Sequence, residues 1–73
     1  MSLSYRRLWK LLIDRNMKKG ELRDLANISQ STMAKLSRNE NVTTDILVKI
    51  CVVLNCELSD IAEIVRNPEN GKD

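Results

Sequence analysis

Gln30, Ser31, Thr32 and Lys35 place an amide, two hydroxyls and an ammonium within one short stretch of chain. Such groups give and take hydrogen bonds, and none of them is a nucleophile with a base beside it. The residues that break and form bonds are missing. The sequence has no His, and Cys51 and Cys56 lie five apart, without the C-x-x-C spacing or partner ligands of a zinc or redox site. Neither the G-x-x-x-x-G-K-[ST] phosphate loop nor the G-x-S-x-G elbow occurs. Asp60 and Glu63 share a helix face, but carboxylates in a first helical turn account for both. The expectation is recognition through a hydrogen-bonding surface, with no enzyme activity, cofactor, metal or small-molecule ligand.

Charge is distributed unevenly. Residues 1–39 hold nine Lys/Arg against three Asp/Glu, and residues 40–73 hold three against seven, within a net charge of +2. A basic side for a polyanion and an acidic side turned away from it would produce this division. Two cysteines in 73 residues do not make a disulfide framework and are read as small buried hydrophobes. No run of eighteen apolar residues is present, and the first residues lack the apolar segment of a signal peptide, so a cytoplasmic protein with no membrane partner is expected.

Those polar groups need a scaffold, and apolar periodicity supplies one. Low Gly and Pro with abundant Leu, Ile, Lys, Arg and Glu favour helices. Tyr5, Leu8, Trp9, Leu12 and Ile13 recur at helical spacing, predicting a first helix over 4–15 with Ser4 as N-cap and Asn16 closing it. A second helix over 19–26 turns Leu22, Leu25 and Ala26 inward. Asn27-Ile28-Ser29 breaks the period, with Asn27 suited to positive φ and Ser29 to capping. The third helix, over 30–38, buries Met33 and Leu36. Thr43 or Thr44 starts a fourth, striped by Ile46, Leu47, Ile50, Cys51 and Leu54 and ended by Asn55. Ser59 and Asp60 open a fifth, with Leu58, Ile61, Ile64 and Val65 inward. One domain over 1–66 is expected, with 67–73 as a flexible tail.

Helices two and three have the make-up of a pair in which one braces the other for insertion into a DNA groove. Leu22, Ala26, Ile28, Met33 and Leu36 hold the two together, while Gln30, Ser31, Thr32 and Lys35 present short polar groups outward. The stretch Glu21-Leu-Arg-Asp-Leu-Ala-Asn-Ile-Ser-Gln-Ser-Thr-Met-Ala-Lys-Leu resembles the helix-turn-helix of phage repressor and Cro proteins, the Xre family. The likeness runs over about residues 4–65 and takes in Trp9-Lys-Leu-Leu-Ile-Asp-Arg and Ile50-Cys-Val-Val-Leu-Asn-Cys-Glu-Leu-Ser-Asp-Ile, as in short stand-alone bacterial regulators. It implies an all-α, compact five-helix, lambda-repressor-like DNA-binding domain with the helix-turn-helix at helices two and three. Two positions depart from the family pattern. Arg23 stands where a small residue is usual, and Asn27 where Gly is usual.

The resemblance also assigns roles. Gln30 matches a base-reading position, its amide able to pair with adenine N6 and N7, and Ser31 and Lys35 match further base-facing positions. Lys19, Thr32 and Arg38 are expected at phosphates, with Asn39 and Asn41 adding contacts from the loop and Lys18 and Arg23 as further candidates. A sequence-specific regulator of transcription, a repressor, is the function implied, on double-stranded DNA and as a homodimer joined through helices four and five. The alternative is a protein-interaction module of the same fold, such as an antitoxin, an antirepressor or a polymerase-binding partner. Val52, Val53 and Leu11, lying off the main stripes, would supply its apolar patch.

Overall fold

The computed structural model describes residues 2–66, so the tail expected over 67–73 lies outside the described residues. In chain order come strand β1 (Ser2–Ser4), helices α1 (Arg6–Asp14), α2 (Lys19–Ala26), α3 (Gln30–Ser37) and α4 (Thr44–Leu54), a single 3-10 turn (Leu58–Asp60) and strand β2 (Glu63–Val65). The helices form the core, and residues 2–4 and 63–65 are stitched together beside it. β1 and β2 pair antiparallel, with Ser2 opposite Val65, Leu3 opposite Ile64 and Ser4 opposite Glu63.

Four helices are therefore present among the described residues, and the expected fifth is replaced by the 3-10 turn and β2. Asp60 closes that turn by accepting a 2.9 Å hydrogen bond from the Glu57 N–H. Beyond it, the β-branched Ile64 and Val65 suit a strand, and β1 offers them an edge. A helix begun at Ser59 would also have little length left before Pro68, whose predecessor disfavours the helical region. Ile61 is fully buried as expected, but Leu58 and Ile64 are exposed and Val65 is half-buried. At the other end Ser4 lies in β1, so Tyr5 takes the N-cap position of α1 without a side-chain cap.

Asparagine closes every helix. Asn16, Asn27, Asn39 and Asn55 are the non-glycine residues with positive φ among those described, at 52–57°. Asn tolerates this left-handed conformation at lower cost than other residues with a Cβ. At the opposite ends, Ser29 caps α3 by accepting from Thr32 N–H at 3.2 Å, and Thr43 caps α4 by accepting from Ile46 N–H. Glu21 accepts from the Lys18 N–H at 2.9 Å at the start of α2.

The core is aliphatic plus one tyrosine: Tyr5 at the N-cap of α1, Leu8 and Leu12 from α1, Leu22 and Ala26 from α2, Ile28, Met33 and Leu36 from the turn and α3, Leu47, Ile50 and Leu54 from α4, and Ile61. Besides Leu58 and Ile64, two more residues expected in the core, Ile13 and Leu25, lie outside it. Ile13 is 76% exposed at the end of its stripe, and Leu25 is 62% exposed because Leu22 and Ala26 define the inward face of α2. Cys51 and Cys56 are free thiols, half-buried against the core. No helix among the described residues is long and apolar enough to cross a membrane.

Candidate nucleic-acid interface

α3 is clamped on one side and open on the other. Met33 and Leu36 are buried, Leu36 completely, while Gln30, Ser31 and Lys35 are exposed. Two depressions flank the open face. One of 140 Å³ lies between α2 and α3, lined by Lys19, Gly20, Arg23, Gln30, Met33, Ala34 and Ser37. The other, of 360 Å³, lies between α3 and the following loop, lined by Thr32, Lys35, Asn41, Val42, Thr43 and Ile46. The fold thus gathers six of the ten residues picked from the sequence along the two flanks of α3.

In the first depression Gly20 and Ala34 keep the helix contact small, and Arg23 lies across it. Its Nε donates to Asp24 Oδ1 at 3.2 Å, and its Nη1 donates to Gln30 Oε1. The residue that departs from the family's small side chain is therefore bonded to the first residue of α3. Lys19 is fixed in the same region. Its Nζ lies 4.2 Å from the centroid of the Trp9 ring and donates to Ser37 Oγ at 3.3 Å, a cation–π contact and a hydrogen bond that hold the charge at the mouth of the cleft.

The hydroxyls of Ser31 and Thr32 lie 3.1 and 2.9 Å from Ser29 Oγ, forming a cluster around the N-terminus of α3. Lys18 is exposed at the N-cap of α2. At the far end of α3, Arg38 holds Glu40 with two hydrogen bonds, 2.7 Å from Nε and 3.3 Å from Nη2. That contact keeps the Glu40 carboxyl below the usual carboxylate range and raises the Arg38 guanidinium. Asn39 turns inward instead, its Oδ1 accepting from the Tyr5 N–H at 3.0 Å. Its amide nitrogen is the group left for any outside contact.

From the sequence alone Trp9 takes only a core role, and Ser37 and Glu40 take none. Glu40, two residues from Arg38, was open to local inspection, but Trp9 and Ser37 meet Lys19 only through the tertiary fold. The basic half of the chain is also partly spent internally. Arg6 and Arg7 both pair with Glu63, at 3.0 and 3.4 Å, and Arg15 donates to the Leu54 carbonyl. The cation surface is narrower than the raw charge division implies.

No group of three or more His, Cys, Asp or Glu side chains converges among the described residues. Burial, reinforced by Cys51, pushes the Cys56 thiol up to about 11, so it is protonated at neutral pH. That is the behaviour of a packing residue.

The family model of the Cro/C1-type HTH DNA-binding domain matches residues 7–67. A crystal structure of a transcriptional regulator, VanUg, superposes with a TM-score of 0.88 at 55% sequence identity, covering 90% of this chain and 88% of that chain. A search of curated proteins gave no match. With an aliphatic inner face, a polar outer face and a family match over most of its length, the chain belongs to the Cro/C1-type helix-turn-helix DNA-binding domains.

Proposed function

We propose that the protein regulates transcription by inserting α3 into the DNA major groove, with Gln30, Ser31 and Lys35 meeting base edges. The observation that carries this reading is the two-sidedness of α3: Met33 and Leu36 are buried while Gln30, Ser31 and Lys35 stand exposed between depressions lined by Lys19 and by Asn41. Lys18, Lys19, Thr32, Arg38, Asn41 and the amide nitrogen of Asn39 then serve phosphates on either side, fixing register without reading sequence. The protein acts by occupying its site, as a cytoplasmic repressor without catalytic activity.

One such domain offers few base contacts, so a second copy on a two-fold site adds the missing specificity. The apolar surface for it is Val48 and Val52 on α4, flanked by Leu25 on one side and Leu58 on the other. All four are more than half exposed. With no fifth helix, the dimer surface moves to α4, the 3-10 turn and the edge of α2. Of the patch expected from the sequence, Val52 is exposed, whereas Val53 and Leu11 pack partly against the core.

Selection of bound duplexes from a random pool tests the reading. A recurrent site with two-fold symmetry and half-sites about one helical turn apart is expected. Recovery of unrelated sequences would contradict it.

A further inference from the structure

We propose that Arg23 decides which base Gln30 reads, by holding the Gln30 carbonyl and leaving only its N–H groups for DNA. This rests on Gln30 being a base reader and adds what it reads. A glutamine that recognises adenine must accept from N6 through Oε1 while donating to N7 through Nε2. Here Oε1 already accepts a hydrogen bond from Arg23 Nη1. A bond with a charged donor is stronger than one between neutral groups, so it competes well with the adenine amine. It also polarises the amide and sharpens Nε2 as a donor.

Two further contacts accompany that bond. Asp24 Oδ1 holds Nε at 3.2 Å, and Nη2 lies over Gly20, where a Cβ would be 3.9 Å away. Arg23 therefore reaches from its neighbour Asp24 on α2 to the tip of Gln30 on α3. Held this way, Gln30 is a pure donor, and the major-groove edge with acceptors at both O6 and N7 is guanine. Adenine offers one acceptor and a donor with nowhere to go. The pair reads G·C where a free glutamine reads A·T.

The experiment is duplex selection from a random pool with four full-length proteins: wild type, Q30A, R23M and R23K. R23M keeps an aliphatic stem over the helix contact without a donor, and thermal unfolding confirms that each variant folds. In the wild type, the position that loses its preference in Q30A is expected to be G·C. R23M is expected to shift that position toward A·T, changing the ratio of G·C to A·T affinity by about tenfold. R23K, which retains a cationic donor, is expected to restore part of the G·C preference. A Gln30-dependent position that is A·T in the wild type, or that stays G·C in R23M, overturns the proposal while leaving Gln30 as a base reader. A Q30A protein with every preference intact overturns both.

Discussion

The side-chain oxygen of Asn39 accepts a hydrogen bond from the backbone N–H of Tyr5 at 3.0 Å, joining the end of α3 to the start of α1 across 34 positions of chain. Asn39 also has φ of 57°. One residue thus ends α3 through its backbone and satisfies a partly buried donor at the start of α1 through its side chain. Asn39→Ala loses both functions, and a loss of about 2–4 kcal/mol in chemical denaturation is expected. Asn39→Gly keeps the backbone conformation and loses only the bond, so it should fall between. Equal stability of both variants to the wild type would show that neither contribution matters.

Arg38 and Glu40 hold each other at the C-terminal end of α3, and in the proposed binding mode DNA competes with that carboxylate for Arg38. Glu40→Gln is expected to strengthen binding to all duplexes about equally. Arg38→Ala should weaken all of them and lower the log–log salt slope by about 0.9. A base-dependent effect in either variant would move Arg38 from the backbone to the base edges.

Leu36 and Leu25 separate the core from the surface. Leu36 is completely buried and Leu25 is 62% exposed. Leu36→Ala is expected to cost about 2–5 kcal/mol by denaturant titration, enough to unfold a domain of this size. Leu25→Ala should stay within about 0.5 kcal/mol. Comparable losses would mean that α2 is rotated from the position described.

Val52 is 73% exposed at the centre of the apolar surface on α4. In the dimer proposed above, Val52→Glu should leave the monomer folded, by circular dichroism, and abolish self-association in sedimentation. A dimer that survives the change would place the interface elsewhere.

Burial raises both the Tyr5 phenol and the Cys56 thiol, the latter from 9.0 to about 11. The folded chain therefore binds these protons more tightly than the unfolded chain. Their contribution is complete below the unfolded values and is lost as pH rises through the folded ones. The melting temperature is expected to be level from neutrality to about pH 9 and to fall above it, less steeply in Cys56→Ala. A level profile up to about pH 11 would contradict the burial of both groups.

Most of this scaffold was legible because its signals are local. Ser29 and Thr43 as caps, Asn16, Asn27 and Asn55 as helix ends, and Leu22, Ala26, Ile28, Met33 and Leu36 as the clamp all follow from spacing and side-chain chemistry. The β1–β2 pairing did not, because Leu3 and Ile64 meet across nearly the whole chain and three-residue strands carry no alternation to detect. Ile64 and Val65 continue an apolar stripe, which by spacing alone predicts a helix. In the interface, the polar face of α3 was visible in residue types. The bonds that set its chemistry, Arg23 to Gln30 and Lys19 to Trp9, depend on how α2 crosses its neighbours, which periodicity does not report.

In the proposed binding mode the exposed face of α3 reads DNA sequence. The most direct measurement of this is the affinity of wild type and Gln30→Ala for a selected duplex and a scrambled one, across about 50–200 mM salt. Steep salt dependence on both duplexes is expected, with a preference for the selected duplex that shrinks in Gln30→Ala. Binding that ignores salt, or a preference untouched by the substitution, would contradict the account.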